Sequence, residues 1–221
     1  MTLPPASPEL VPAARPRMDS AERTRLLIAA AYDLLAEDGL DGLTIRAVLQ
    51  RTGLARRAFY ESFAGKDELV LAVFEETLQL AARHFTRLTA AMGDALERVG
   101  FIVTSIVLRR GYDPDDSQTP HDRRAAALSR EHIRLAESHP AQLQAALQPL
   151  MGVIAQAMAE GMAAGIIRRA DPDLMASLVY NLVATTVHTE LIATDGLSGD
   201  ADRHERMAAE IWEFCRRAIS A

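Results

Sequence analysis

The residues best suited to chemistry in this 221-residue chain lie between Thr44 and Lys66, in the stretch TIRAVLQRTGLARRAFYESFAGK. Arg46, Arg51, Arg56, Arg57 and Lys66 stand there against a single acid, Glu61, in a chain whose formal net charge is -6. The whole-chain field therefore favours no polyanion, and binding of one must rest on this local patch. Arginine is the side chain that reaches guanine O6 and N7 with two parallel hydrogen bonds, worth about 1–3 kcal/mol in discrimination. Arg56 and Arg57 are flanked by the small Ala55 and Ala58, which let a backbone come close to base edges. The chemistry suggested is reading of a DNA major groove by a short helix.

Two short helices joined through Thr52, Gly53 and Leu54 fit a helix-turn-helix, in which the second helix enters the groove and the first crosses the backbone. Thr44 is placed to cap the first, which runs to Gln50 or Arg51, and Gly53 tolerates the positive φ of the turn. The second spans about 55 to 61. Ile45, Val48, Leu54, Phe59 and Phe63 fill a small core, leaving Ala55, Arg56, Arg57, Ala58 and Tyr60 outward. Upstream, Asp19 and Glu22 stand at capping-box spacing before a helix of about 20 to 38, with Leu27, Ala30, Ala31 and Leu34 at helical period and Gly39 as its stop. From 66 to 92, Val70, Val73, Phe74, Thr77, Ala81, Phe85, Leu88 and Met92 describe one long amphipathic helix that links two parts.

A helix over 94 to 110 ends at Gly111, and YDPDDS at 112–117 is a polar loop. Thr119-Pro120, His139-Pro140 and Asp171-Pro172 each read as an N-cap followed by proline in the first turn, so three further helices start there. The last helix, about 202 to 217, places Met207, Ile211, Phe214 or Cys215, and Ala218 on one face. Hydrophobic residues make up 49% of the chain and aromatics 5%; with 39 alanines and no alternating β-branched runs, the expected fold is all-α with about nine helices. Residues 1 to 18, rich in proline, form a flexible tail in which Arg15 and Arg17 are ordinary tail residues rather than a minor-groove arm.

Catalytic and metal chemistry find no constellation. His84, His121, His132, His139, His188 and His204 show no paired i, i+4 spacing, and no nucleophile elbow, HExxH helix, phosphate loop or nucleotide-binding glycine signature occurs. Cys215, the single cysteine, excludes an intrachain disulfide and suits a reducing cytoplasm. No run approaches the roughly 18 apolar residues of a membrane span, so no membrane partner is expected, and neither is an enzyme, a metal or a cofactor. Gly161-x-x-x-Gly165 reads as close helix packing.

In order, Thr44, Ile45, Val48, Gly53, Leu54, Tyr60, Phe63 and Lys66 match the pattern of TetR-type transcriptional regulators, which the segment from about 20 to 75 resembles; the remainder is similar in architecture. The resemblance implies a helix-turn-helix domain over 19–66 and a helical effector-binding and dimerisation domain over 67–221. It implies that Tyr60 and Lys66 bind phosphates, that Thr44 caps its helix and touches the DNA backbone, and that Arg56 and Arg57 read bases, with Arg46 and Ala55 on the same surface. Two positions depart from the family pattern. Ala55 stands where a capping Ser or Thr is usual, at a cost of ~1 kcal/mol of helix stability, and Leu49 stands where a small Ala is usual.

The resemblance further implies a repressor that binds palindromic double-stranded DNA as a homodimer and is released by a small, largely apolar effector. Such pockets are mostly apolar with few polar groups; candidates are Phe85, Phe101, Ile106, Met151, Met158, Met162 and Tyr180, with Asn181 and His188 as polar exceptions. The dimer would form through the last two helices, about 172–194 and 202–219, with Leu178, Leu182, Thr185, Thr189, Ile211, Trp212, Cys215 and Ile219 as interface candidates. The alternative is a helical homodimer that binds a ligand or a protein without sequence-specific DNA recognition.

Overall fold

The computed structural model describes residues 18–108, 121–193 and 201–221. Among them run nine helices and no β-strand beyond one isolated bridge. Arg15 and Arg17 with the rest of residues 1–17, the 112–117 loop and the Thr119-Pro120 start lie outside the described residues; the helix expected over 94–110 ends at Val107, short of Gly111.

Helix α1 (Ser20–Gly42) begins where the sequence places it, with Asp19 Oδ1 accepting from the Glu22 amide at 2.7 Å. Its regular part breaks at Gly39 (φ 67°, ψ −157°), and a short turn to Gly42 follows. α2 (Ile45–Thr52) is capped by Thr44, whose Oγ1 accepts from the Ala47 amide at 3.1 Å. Gly53 closes it in the left-handed region at φ 67°, which a side chain would strain. α3 (Arg56–Ser62) starts at Ala55 without a side-chain cap. At seven residues it cannot sustain itself, because isolated helices this short do not overcome the cost of nucleation. It is held by burial: Val48 and Phe59 are wholly buried and Phe63 nearly so, with Ile45 and Leu54 packed at the margin.

α4 (Lys66–Thr89) stops one turn short of the expected end. Val70, Val73, Phe74, Thr77, Ala81 and Phe85 are buried along it, and the Thr77 hydroxyl donates to the Val73 carbonyl at 2.8 Å, so its burial leaves no orphan donor. Leu88 corrects the expected apolar face. It is exposed, and Thr89 turns inward instead.

α5 (Ala95–Val107), α6 (His121–Ser138), α7 (Pro140–Ala163), α8 (Pro172–Ala193) and α9 (Ala201–Ile219) complete the order. Asp171 caps α8 as the Asp-Pro pair predicts, its Oδ1 accepting from the amides of Asp173 (2.9 Å) and Leu174 (3.2 Å). His139 precedes Pro140 without a side-chain cap. The main packings are α4 on α7, α1 on α6, α7 on α8 and α5 on α9. One contiguous apolar core runs from Leu27 to Ile219. The end of the chain returns to the α7–α8 turn: Arg168 N donates to the Ile219 carbonyl (2.9 Å), Ala221 N to the Ile166 carbonyl (3.0 Å), and Arg168 Nε to the Ala218 carbonyl (2.7 Å).

Gly161 is buried, and a Cβ there would meet Ile167 and the Ala95 Cβ, as expected for a glycine that allows close helix contact. At Gly100 a Cβ would fall 2.7 Å from Trp212 Cε2. Gly100→Ala should therefore overpack the α5–α9 contact and cost ~1–3 kcal/mol. The measurement is urea unfolding followed by the fluorescence of Trp212, the chain's single tryptophan. The expected outcome is a lower midpoint together with a shifted native emission.

Candidate nucleic-acid interface

α3 projects its polar side chains in two parallel i, i+4 pairs. In one, the Arg56 guanidinium lies 5.5 Å from the Tyr60 ring centroid, and Nη2 donates to the Tyr60 hydroxyl at 3.3 Å. In the other, Arg57 Nε donates to Glu61 Oε1 at 2.9 Å, while the Arg57 side chain is 90% exposed. Tyr60 keeps its ring edge against Phe59, with centroids 5.4 Å apart, and is itself exposed. Phe59 thus buries one face of α3 and turns Arg56, Arg57 and Tyr60 outward. Ala55, Thr44 and Arg46 are likewise exposed.

Lys66, first residue of α4, is half-buried and donates from Nζ to the Leu40 carbonyl at 3.2 Å. This contact closes the turn after Gly39 onto the start of α4. The α1 helix also grips the end of α3: Arg23 Nη2 donates to Glu61 Oε2 (3.3 Å), Arg23 Nη1 to the Met18 carbonyl (2.9 Å), and the Thr24 and Ser62 hydroxyls lie 2.9 Å apart. On the far side of α2, Arg51 pairs with Glu37 of α1, holding that carboxyl below its ordinary range. Arg51 is thereby committed to structure, while Arg56 and Arg57 keep exposed donors.

Residue 67 connects this surface to the rest of the molecule. Arg134 of α6 donates from Nη1 and Nη2 to the two Asp67 oxygens, each at 2.9 Å, and from Nε to Glu131 at 2.8 Å. Hydrogen bonding to Arg134 holds the Asp67 carboxyl below its usual value. α6 is thus fastened to the first turn of α4, next to Lys66.

Of the proposed effector residues, Phe85, Ile106, Met158 and Tyr180 are buried, and Phe101, Met151 and Met162 pack at the edge of the core. Phe85 and Phe101 meet edge to face at 6.4 Å. Tyr180 stacks on His132 (6.3 Å), which meets Phe74 edge to face (5.6 Å), and His188 Nδ1 lies 3.1 Å from the Ser129 hydroxyl. Burial, then the nearby His188, lowers the His132 pKa. His132 and Ser129 were not singled out in the sequence because their partners lie on other helices, Phe74 on α4 and Tyr180 and His188 on α8. Asn181 is corrected: it is exposed, about 100° around α8 from buried Tyr180.

Asn181 belongs instead to an outward stripe with Leu178, Leu182, Thr185 and Thr189. Leu178 is 56% exposed, and Leu174 one turn earlier is similarly bare. Two interface candidates are corrected. Cys215 and Ile219 are buried within their own chain, and burial pushes the Cys215 thiol pKa up. Ile211 and Trp212 are half-buried against that same core, whereas Phe214, left open as an alternative to Cys215, is 64% exposed. Ala218 also faces outward.

Among the described residues no group of three or more His, Cys, Asp or Glu is arranged to hold a metal, and no helix is long and apolar enough to cross a membrane.

Residues 27–73, from the middle of α1 to the first turns of α4, match the family model for bacterial regulatory proteins of the tetR family. No curated protein sequence matches the chain. Solved structures agree in fold over nearly its whole length. A TetR-family transcriptional regulator from Pectobacterium atrosepticum superposes with a TM-score of 0.70 at 17% identity, covering 94% of this chain and 98% of its own. A TetR-family regulator from Mesorhizobium loti gives 0.66 at 20% identity, covering 94% and 100%. RolR, solved with its ligand resorcinol, gives 0.64 at 21%, covering 90% and 95%. The arrangement of the described helices, with the helix-turn-helix near its start, is the fold these structures share. Within it, the chain carries the tetR-family N-terminal domain.

The Arg134–Asp67 pair makes a pH-dependent contribution. Because the folded-state pKa of Asp67 is depressed, its stabilisation is present above the ordinary carboxylate range and is lost as pH falls through the depressed value. Both partners are more than a third exposed, which limits the pair to below about 1 kcal/mol. Asp67→Asn should be slightly less stable than the parent at pH 7, and the difference in urea midpoint should close on acidification. A difference constant down to pH 2 would contradict this reading; pH 2 lies roughly two units below an ordinary Asp pKa.

Proposed function

We propose that this chain is a transcriptional repressor that binds a palindromic operator as a homodimer and is released by a small, largely apolar effector. The observation that carries the reading is the exposed Arg56, Arg57 and Tyr60 face of α3, mounted on a helix-turn-helix that the tetR-family model matches. Phosphate contacts position a protein on DNA and base contacts specify the sequence. Tyr60, Lys66, Thr44 and Arg46 suit the first role and the α3 arginines the second, with Ala55 small enough to admit the backbone. Lys66 reaches a phosphate by leaving the Leu40 carbonyl, an exchange of one acceptor for a charged one.

One helix-turn-helix reads too few base pairs for specificity, and two-fold symmetry with half-sites about 34 Å apart, or a multiple of that, supplies the rest. Leu174, Leu178 and Leu182 of α8 and Phe214 of α9 support a second copy as partner: they are large, apolar and exposed. Thr185, Thr189 and Asn181 extend the same α8 face, and Trp212 and Ile211 of α9 are half-buried against the core. The division at residue 66 follows from these roles, with 19–66 binding DNA and 67–221 binding effector and partner. A protein acting on the chromosome works in the cytoplasm.

The effector reading is supported by the ring cluster of Phe74, His132 and Tyr180 beside the His188–Ser129 pair, and by the apolar Phe85, Phe101, Ile106, Met151, Met158 and Met162 between the helices. RolR, similar in fold, takes resorcinol, a small ring with polar substituents. The route out runs through α6, because Arg134 ties it to the start of α4. A ligand shifts the DNA-binding form only by binding the two arrangements with different affinity.

The test is selection of bound duplexes from a random pool at fixed, near-physiological salt, followed by sequencing. Enrichment of a palindrome is expected. Failure to enrich by ligand-free protein would favour a helical ligand- or protein-binding homodimer instead. Two variants extend the test. Tyr60→Phe or Lys66→Ala should weaken binding to all sequences and flatten its salt dependence. Leu178→Arg should yield monomers in sedimentation and lose the palindrome.

A further inference from the structure

The two neighbouring arginines of α3 are held differently, and the difference assigns them different tasks. Arg56 lies over the Tyr60 ring with Nη2 on the phenol oxygen, so a cation and a hydroxyl share one place on the surface. Such a pair suits a phosphate oxygen, which accepts from both. Arg57 projects free of any ring. Among the described residues it bonds Glu61 alone, and through Nε alone. A guanidinium carries five N–H donors in a rigid fork. With Nε committed to the carboxylate, the end-on pair Nη1 and Nη2 remains, and that pair has the spacing for guanine O6 and N7.

Glu61 is itself fixed. Its second oxygen accepts from Arg23 Nη2 at 3.3 Å, and Arg23 is moored to the Met18 carbonyl at 2.9 Å. The next residue, Ser62, is tied to Thr24 by their hydroxyls at 2.9 Å. The carboxylate is therefore held by α1 from one side while it holds Arg57 from the other, which biases Arg57 toward the rotamers that keep this contact. An unrestrained arginine loses rotamer entropy on being fixed; Arg57 has surrendered part of that before DNA arrives. The carboxylate also adds a negative charge beside the phosphates, which lowers affinity for every sequence alike.

We propose that Glu61 is a positioning residue for base recognition: moored by Arg23, it holds Arg57 with its end-on fork free to read one guanine, while Arg56 and Tyr60 together contact phosphate. The inference rests on the DNA-binding reading above and deepens it by separating the two arginines, leaving base reading to Arg57 and moving Arg56 to phosphate contact. It predicts that specificity at one base pair of each half-site depends on a residue that touches no base.

The experiment is duplex selection and competition binding at two salt concentrations with the full chain and its Arg56→Ala, Arg57→Ala, Glu61→Ala and Glu61→Gln variants. The parent should prefer guanine at one half-site position, and Arg57→Ala should reduce that preference by roughly 5- to 150-fold, the range of one bidentate contact. Glu61→Ala should lose most of the same preference at the same position and no other, while binding unrelated duplexes more tightly. Glu61→Gln keeps an oxygen for Nε, so it should retain the preference and still bind all sequences more tightly. It also covers the case in which Glu61→Ala fails to fold, as judged by helicity. Combining Glu61→Ala with Arg57→Ala should add no further loss at that position. Arg56→Ala should weaken all sequences evenly and lower the salt slope.

Glu61→Ala with guanine preference at the parent's level would overturn the proposal, and so would an equal loss at every position, which is what a merely structural role gives. If the parent enriches no motif at all, the DNA-binding reading falls and this inference with it. A parent that enriches a motif indifferent to Glu61 leaves that reading standing and overturns this inference alone.

Discussion

Burial of Phe59 is the contact on which the DNA-facing surface depends. α3 is seven residues long and starts without a side-chain cap, so neither its length nor its ends hold it helical. What holds it is an aromatic ring with no exposed surface, flanked by Phe63 (5.8 Å between centroids) and packed in the core with Val48. A Phe in that setting contributes about 3–5 kcal/mol relative to Ala, several times what the exposed ion pairs around it supply. Once Phe59 is in place, helical geometry dictates the rest. Residues 56, 57 and 60 have nowhere to point but outward.

The same geometry explains what was legible in the sequence and what was not. The helix-turn-helix could be read because its signals are local: Thr44 as cap, Gly53 as left-handed turn, and apolar residues at fixed offsets. The starts of α1 and α8 were readable for the same reason, through Asp19 and the Asp171-Pro172 pair. Errors fell where apolar residues stand on two faces of one helix. On α9, Phe214 and Cys215 are equally plausible inward residues by period alone, and packing against α5 decides for Cys215 and Ile219. On α8, Tyr180 inward forces Asn181 outward. The contacts of Glu61 and His132 could not be read for a different reason: their partners are remote, Arg23 being 38 positions from Glu61 and Phe74 lying on another helix altogether. Periodicity carries no information about such pairs.

α4 joins the helix-turn-helix to the rest of the described helices, and both of its faces are used. Its apolar side is sealed against α7 and the common core, and its first turn carries Lys66 toward the DNA-facing side and Asp67 toward α6. A rigid helix with its base clamped at Asp67 behaves as a lever rather than a hinge. In the proposed release by effector, motion of α6 would reach the helix-turn-helix as rotation of a whole element and not as local unfolding, since Val70, Val73, Phe74 and Ala81 would all have to leave a close-packed core for the helix to bend.

The return of the chain's last residues to the α7–α8 turn bears on how copies of this protein can associate. A terminal helix beside an exposed apolar stripe is the usual raw material for domain swapping, in which two copies exchange an identical element at little energetic cost. Here Arg168 and Ala221 fasten the end of α9 to the segment just before α8. Exchange would first have to break those bonds and expose Cys215 and Ile219. In the proposed homodimer each copy would then keep its own α9, and the separation between two recognition helices would be set by rigid bodies instead of by a swapped arm of variable reach.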